Sequence, residues 1–398
     1  MAAKVRTQVA IVGAGPAGLL LSELLQRHGV ESIVVESRTR EHVEARVRAG
    51  ILEHSSVELL TEIGLDQNLR AHGQRHHGIY LQWPGSRIHL DFQQLIGRSV
   101  WLYGQTELTT DLGRARDAAG QQIIYQVSDT SVVDHHSDHP AVILTDADGT
   151  PRRIDAEVVV GCDGSFGPCR DAATDPTTRR YQRLLPYSWL GVLAQVAPST
   201  DELIYSWHPR GFALHSMRSA AVSRLYLQVP NQTKIEDWSD DRIWSELATR
   251  LEAGEPGWTL HDGPILEKSV LPMHSFVMEP LRSGRLFLAG DAGHIVPPTG
   301  AKGLNLAIAD VARLAPALAT MIINDDHVAA DAYSDQALQR VWRCTEFSVR
   351  MTQMLHIDDD RFRGRLQQAQ LRWLASSTTA ARELAQNYAG LPIGFTDD

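Results

Sequence analysis

A glycine-rich hexapeptide, GAGPAG at 13–18, constrains this chain more than any other feature. It follows TQVAIV at 7–12, an apolar run rich in β-branched residues that suits a buried parallel strand. It precedes LLLSELLQRHG, a helical pattern that stops at Gly29. A second apolar run, Ser32 to Val35, ends at Glu36. Strand, glycine turn, helix, strand and acid make a complete βαβ unit, and in that context GxGxxG is a specific dinucleotide-binding signal. The three glycines play different parts. Gly13 permits the tight turn, Gly15 lets the backbone approach a pyrophosphate, and Gly18 lets helix and strand pack closely. The helix N-terminus, with Ala17 in its first turn, offers N–H groups and a positive dipole end to phosphate. Glu36 is placed to accept hydrogen bonds from ribose hydroxyls.

Two further segments bear on which dinucleotide is bound. GCDG at 161–164 directly follows a buried strand, and GRLFLAGDAGHIVPPTGAKGLN spans 284–305. In the longer one Asp291 ends an expected strand, and Gly300 and Gly303 precede a helix starting near Leu304. Free N–H groups there would stabilise negative charge on a reduced isoalloxazine. Three such stretches, this far apart, suit the long FAD molecule better than NAD. Between them, residues 120–148 and 152–160 alternate as hairpin strands do. WLGVLAQV, ELIYSW, FALHSM and SRLYLQV between 183 and 230 predict a separate antiparallel sheet. An amphipathic helix follows at 236–253, and helical patterns dominate from about 303. No internal repeat or low-complexity linker appears, so the domains are expected to interleave. The predicted fold is α/β. A Rossmann-like FAD-binding domain (1–180 and 273–325) is interleaved with an antiparallel-sheet substrate domain (181–272). The C-terminal helical region (326–398) is the expected dimer contact.

Charge and cysteine usage narrow the class. Thirty-eight Lys+Arg against 48 Asp+Glu give a formal charge of −10, which argues against a general nucleic-acid partner. No apolar run has the length of a membrane span. Val9 to Leu21, preceded by Lys4 and Arg6, superficially has the form of a signal peptide, but Gly13, Gly15, Pro16 and Gly18 interrupt it. Cys162, Cys169 and Cys344 are an odd number without metal spacing, which predicts a reducing, cytoplasmic setting and no metal.

Taken together, GAGPAG, ESRTREHVEARVRAGILE, YGQTELT, GCDG, HPRGFALHSMRS and GDAGHIVPPTGAKGLN resemble the flavin-dependent aromatic hydroxylases, the class A flavoprotein monooxygenases. The likeness runs from Gln8 to Pro392, and HPRGFAL and the closing NYAGLP are more specific than the shared flavin motifs. The resemblance implies bound FAD, reduction by NADPH or NADH, and O₂ as co-substrate. It implies a homodimer and hydroxylation of 4-hydroxybenzoate to 3,4-dihydroxybenzoate, with another hydroxy- or amino-substituted benzoate as the alternative substrate. It assigns FAD contacts to Glu36, Arg46, Arg48, Gln105, Asp291, Leu304 and Asn305. It assigns the substrate carboxylate to Ser216, Arg218 and Tyr226, a further contact to the Pro298 carbonyl, and a flavin-side role to Arg224. Trp189 and Leu203 would line the pocket. It assigns Tyr205 to the substrate phenol, Tyr388 as its partner, and His76 to the solvent end of a proton relay. The chemistry agrees: a guanidinium holds a carboxylate bidentately, and a phenol that loses its proton pushes electron density to its ortho carbon. A hydroxyl chain ending in histidine can export that proton.

Departures from the family pattern concern the nicotinamide donor. Relatives that use NADPH carry an arginine where Ser37 stands and a tyrosine where His42 stands. Phe166 and His274 replace two further dinucleotide contacts, while Arg170 persists. Arg38, Arg40, His42, Arg46 and Arg170 remain the candidates for the donor, and NADH is expected to serve at least as well as NADPH. Two other classes compete. A flavin or disulfide reductase would need a redox cysteine pair, for which Cys162 and Cys169 are poorly spaced. A non-catalytic FAD sensor would have no use for Arg218, Tyr205, Tyr388 and His76 together.

Overall fold

A computed structural model describes residues 3–45, 50–253 and 257–395. The expected βαβ unit is present: strand Val9–Val12, helix Pro16–Arg27 and strand Ser32–Val35. It forms the centre of a six-stranded sheet. Val158–Gly161 pairs in parallel with Val9–Val12 on one side and with Leu286–Leu288 on the other. This sheet is thus assembled from segments more than a hundred residues apart, as interleaving predicts. Its strands are apolar on both faces because helices cover one side. Pro16–Arg27 and Gly303–Asn324 pack there over Ile11, Val160 and Phe287. The other side is closed by a four-stranded sheet through Val142, Leu144 and Ile154. The helix Gly303–Asn324 is long and apolar enough to cross a membrane, yet two-thirds of its apolar window is buried in this core.

The second sheet has eight strands. Arg179–Ala194 is its spine, paired antiparallel with Val222–Pro230 and with Ile265–Glu279. Ala213–Ser219 and Ile204–Ser206 follow, and the sheet then recruits Gly78–Trp83 and Ser86–Asp91 from far upstream. Strand alternation divides its residues between two cores. Trp189, Tyr205, Leu214 and Tyr226 join one cluster with Phe347, Met351 and Tyr388 of the C-terminal helices. Leu190, Ile204, Ala213 and Leu225 join another, under the helix Asp240–Arg250.

Several boundaries differ from the sequence reading. The amphipathic helix is Asp240–Arg250, capped by the Ser239 hydroxyl, with a short 3₁₀ turn before it. ELIYSW supplies only the three-residue strand Ile204–Ser206. Asp291 does not end a strand: Leu286–Leu288 stops earlier and Asp291 sits in a 3₁₀ turn, Gly290–Ala292. The positive φ of Gly290 bends the chain away from the sheet there.

Candidate active site

The dinucleotide turn satisfies a geometric test for a phosphate-bearing cofactor. Gly13 has φ +106°, and a Cβ there would lie 2.3 Å from the Cys162 carbonyl oxygen. A Cβ on Gly18 would lie 2.0 Å from the Gly13 carbonyl oxygen. A Cβ on Gly15 would meet nothing within 4 Å, so the fold itself does not require glycine at 15. The space beside Gly15 is where a pyrophosphate would come against the N-terminus of Pro16–Arg27. Glu36 closes the turn: its Oε2 accepts from the Ala14 amide at 2.9 Å and its Oε1 from the Arg38 amide at 2.9 Å. The carboxylate is thereby held at the end of its strand, with lone pairs left for ribose hydroxyls.

A second open cradle lies at the start of Gly303–Asn324. A Cβ on Gly303 would meet nothing within 4 Å, and the amides of Gly303, Leu304 and Asn305 have no partner within the helix. The Asn305 side chain works inward. Its Oδ1 accepts from the Glu53 amide and the Ser56 hydroxyl, and its Nδ2 donates to the carbonyls of Ile51 and Ala301. Any contact from Asn305 to a cofactor thus falls to its backbone. The Asp291 turn is held from two sides. Asp310 Oδ2 accepts from the Gly290 amide at 2.8 Å and lies 2.6 Å from His294 Nε2. Burial disfavours a charged His294, but Asp310 outweighs it and holds that ring's pKa above the ordinary value. Arg170 donates to the carbonyls of Ala292 and Asp291 and stacks on Phe276 at 4.0 Å.

The Arg170 guanidinium is tied into the Asp291 turn through two backbone carbonyls, so it braces that turn. Arg40 is likewise engaged, ion-paired with Glu44 and Asp117, whereas Arg38 and His42 are exposed. Arg46 and Arg48 lie outside the described residues. In GCDG, Asp163 Oδ2 accepts from the Cys169 amide at 2.8 Å, so this acid supports the following turn. Cys162 and Cys169 are buried, and burial pushes both thiols well above their ordinary range, the opposite of a reactive thiolate.

The polar groups of the eight-stranded sheet converge on one face. Tyr205, Leu214 and Tyr226 occupy one register row across three strands, and Ser216 sits opposite Arg224 in the next row on that face. The Tyr205 and Tyr388 hydroxyls are 2.7 Å apart, and both rings are buried. Burial pushes both phenols above their ordinary range, so both are neutral near pH 7. The Ser216 hydroxyl donates to the Arg224 carbonyl at 2.8 Å, and Arg224 Nε donates to the Tyr226 hydroxyl at 2.6 Å. A bulge falls between Met217 and Ser219. From there Arg218 reaches the helix Gln105–Ala118, its Nη2 2.5 Å from Glu107 Oε1. Trp189 Nε1 donates to His356 Nε2 at 2.6 Å, and Leu203 is buried in the same cluster as Tyr205. The Pro298 carbonyl accepts from the Ala301 amide and closes the turn before Gly303.

His76 departs from expectation. Its ring does not reach solvent: it is 1 % exposed, and neither ring nitrogen has a hydrogen-bond partner among the described residues. Burial lowers its pKa, leaving a neutral imidazole with one lone pair to accept a proton.

The sequence reading missed a buried charged network that fixes Tyr388. Lys302 Nζ donates to Glu53 Oε1 at 2.6 Å and to the Tyr388 carbonyl at 3.0 Å. Arg340 pairs with Glu53 Oε2 and donates to the carbonyls of Leu391 and Pro392, while Arg98 donates to the Gly390 carbonyl. Gly390 must be glycine here, since φ is +101° and a Cβ would strike Glu53 at 2.2 Å. The NYAGLP ending is thus a strap tied down by charge, and it carries Tyr388 to Tyr205.

Comparison with known proteins agrees with this chemistry. Residues 6–348 match the family model described as FAD binding domain. The chain is 46% identical over 390 residues to p-hydroxybenzoate hydroxylase of Acinetobacter baylyi, covering 97% of this chain and 96% of that protein. Rifampicin monooxygenase of Streptomyces venezuelae is 27% identical, over 79% of this chain and 64% of its own length. Among solved structures, p-nitrophenol 4-monooxygenase of Pseudomonas putida superposes with a TM-score of 0.78. It is 18% identical, with 98% of this chain and 99% of that one covered.

Proposed function

The chain belongs to the FAD binding domain family and is a flavin-dependent aromatic hydroxylase, and from this premise we propose that its substrate is 4-hydroxybenzoate and its product 3,4-dihydroxybenzoate. One observation carries the reading. A single face of the substrate sheet presents Ser216 and the hydroxyl pair of Tyr205 and Tyr388, with the Arg218 guanidinium beside it at the bulge that follows Met217. Ser216 lies two residues along from the Tyr205 row, about 7 Å, which is the scale of a para-disubstituted ring. The relative from Acinetobacter baylyi bears the name of that activity.

The Gly15 and Gly303 cradles would hold FAD, which would supply the redox and oxygen chemistry when bound, and NAD(P)H is the electron donor typical of the family. The chain's own residues bind, orient and deprotonate. Arg218, with Ser216 and Tyr226 nearby, fixes the carboxylate, and the Tyr205 hydroxyl receives the phenol at the far end. The phenol proton passes to Tyr205 as Tyr205 passes its own to Tyr388, so neither tyrosine needs to ionise in isolation. No direct hydrogen bond joins Tyr388 to His76 among the described residues, so the buried His76 would receive the proton through intervening water. The resulting phenolate makes the ortho carbon nucleophilic. Phe347, Met351 and the Tyr388 helix close over this face and keep bulk water out.

The reading extends to assembly and location. On the helix Arg361–Ser376, Leu371 and Leu374 face inward, while Phe362, Leu366 and Trp373 lie at 72%, 54% and 58% exposure on the opposite side. A second apolar stripe on one helix supports a homodimer, which sedimentation measures. Three free thiols and a nicotinamide donor support a cytoplasmic enzyme. The substrate test scans 4-hydroxybenzoate, 3-hydroxybenzoate, 4-aminobenzoate and benzoate for both stimulated NAD(P)H oxidation and hydroxylated product. 4-Hydroxybenzoate should lead in both. A different benzoate giving faster, better-coupled hydroxylation would replace it as the substrate.

A further inference from the structure

Glu107 occupies the guanidinium assigned to the substrate carboxylate. Its Oε1 lies 2.5 Å from Arg218 Nη2, while its Oε2 is buried without a hydrogen-bond partner among the described residues. That second oxygen packs over the backbone of Gly104, the residue before the helix. A Cβ on Gly104 would lie 2.0 Å from Glu107 Oε2 and 2.6 Å from Arg218 Nη1. A carboxylate oxygen buried and unpaired is held at a cost. Arg218 therefore keeps Glu107 in place, and the local fit does not. The Glu107 side chain as a whole is 40% exposed, so a short rotation returns its charge to water.

We propose that Glu107 is an internal stand-in for the substrate carboxylate: it neutralises Arg218 in the empty site, and the aromatic acid enters by exchanging with it. This rests on the assignment of Arg218 to the substrate carboxylate. Exchange of one carboxylate for another on the same guanidinium leaves the charge of the site unchanged, and the released Glu107 regains hydration for both oxygens. An incoming neutral phenol cannot drive the exchange, since it offers Arg218 no replacement charge. Glu107 thus acts as a specificity-determining residue through Arg218, admitting aromatic acids and discounting their uncharged analogues. Gly104 permits the arrangement by having no side chain there.

Flavin-loaded Glu107→Gln and wild-type enzymes, titrated with 4-hydroxybenzoate and with uncharged 4-hydroxybenzamide, test the idea by the change in flavin absorbance. Removing a competing charge from a partly exposed pair should tighten acid binding by about three- to tenfold. The amide should stay within about twofold. Glu107→Asp, too short to reach Arg218, should move the acid in the same direction, and it serves if the glutamine variant loses FAD. Acid affinity unchanged or weakened in a variant that retains FAD overturns the exchange, as does equal movement of acid and amide. If instead wild-type enzyme fails to bind 4-hydroxybenzoate, the substrate assignment falls, and the exchange with it.

Discussion

The Tyr205 and Tyr388 hydroxyls meet at 2.7 Å although their residues are 183 positions apart in the chain. Tyr205 stands on the shortest strand of its neighbourhood, Ile204–Ser206, and Tyr388 on the last helix, Thr378–Ala389. Neither ionises near pH 7, because burial raises both, so the pair transmits a proton without storing one. Tyr205→Phe removes the first member. It should still bind 4-hydroxybenzoate and oxidise NAD(P)H, more slowly, but the hydroxylation step should fall by about 10²–10⁴, as for a lost proton-transfer group. Product formed per NAD(P)H consumed, with H₂O₂ assayed alongside, reads this directly. Wild-type coupling in Tyr205→Phe would remove the relay.

The Arg218 guanidinium, 2.5 Å from Glu107, is the group assigned to the substrate carboxylate. Arg218→Ala should weaken 4-hydroxybenzoate binding by about 2–5 kcal/mol, the range for losing one partner of a desolvated charge pair. FAD content should not change, since the Gly15 and Gly303 cradles lie on other elements. Equilibrium titration of the loaded variant checks it, and unaltered affinity would place the carboxylate elsewhere.

For the nicotinamide donor, the ion pairs of Arg40 and the bracing role of Arg170 leave Arg38 as the exposed described arginine near Glu36. With Ser37 in place of an arginine, NADH should be used at least as well as NADPH. The kcat/KM for each donor settles it. A strong NADPH preference abolished in Arg38→Ala would show instead that Arg38 holds the 2′-phosphate.

Local patterns carried the cofactor half of this molecule in its sequence. The glycine turn, the strand before it and Glu36 interact within a short stretch, so their order along the chain already describes their geometry. Gly13, Gly15 and Gly18 could be given separate roles for that reason, and in the structure a Cβ would clash at Gly13 and Gly18 and meet open space at Gly15. The substrate half is made of distant meetings. Glu53 and Lys302 are 249 residues apart and Glu107 and Arg218 are 111 apart. Each is a lone charge in an amphipathic stretch, and nothing in the local pattern marks it as buried or paired. YGQTELT drew notice for Gln105, but the exposure of a glutamate at a helix start gives no hint that it reaches another sheet. His76 was expected at solvent and is buried, and Arg170 is tied by hydrogen bonds to the Asp291 turn; side-chain identity alone signals neither placement.

Acid should destabilise the fold through two histidines that are buried neutral. Burial pushes His356 down to about 3 and His215 down to about 4. His356 Nε2 accepts from Trp189 Nε1 while its Nδ1 lies 3.0 Å from the Thr352 carbonyl, so its second proton has no place to go. A folded-state pKa below the unfolded value of about 6.5 means the unfolded chain binds more protons between those limits. The stabilisation is therefore complete above about pH 6.5 and declines as pH falls toward 4 and then 3. Tm of the holoenzyme should drop between pH 7 and pH 5. His356→Gln should flatten that slope, even if its Tm at pH 7 is lower. An equal slope in both proteins would assign the acid sensitivity to other groups.

The glycine turn offers a test that separates fold from cofactor. Gly15 has φ −75° and ψ −178°, a conformation open to any residue, and a Cβ there touches nothing within 4 Å. Gly18 has no such room, because its Cβ would fall 2.0 Å from the Gly13 carbonyl oxygen. Gly15→Val should therefore fold with a near wild-type Tm when FAD is stripped from both proteins. Its side chain would instead fill the space that a pyrophosphate needs, and FAD retention should fall by at least about tenfold, since a blocked phosphate forfeits its helix N-terminal hydrogen bonds. Gly18→Val should lose stability in the stripped protein as well, by the few kcal/mol typical of forced overpacking, about 1–3. Thermal unfolding of the stripped proteins and fluorimetric titration with FAD give the two readouts. If Gly15→Val retained FAD as tightly as wild type, the cofactor phosphates would have to lie away from this turn.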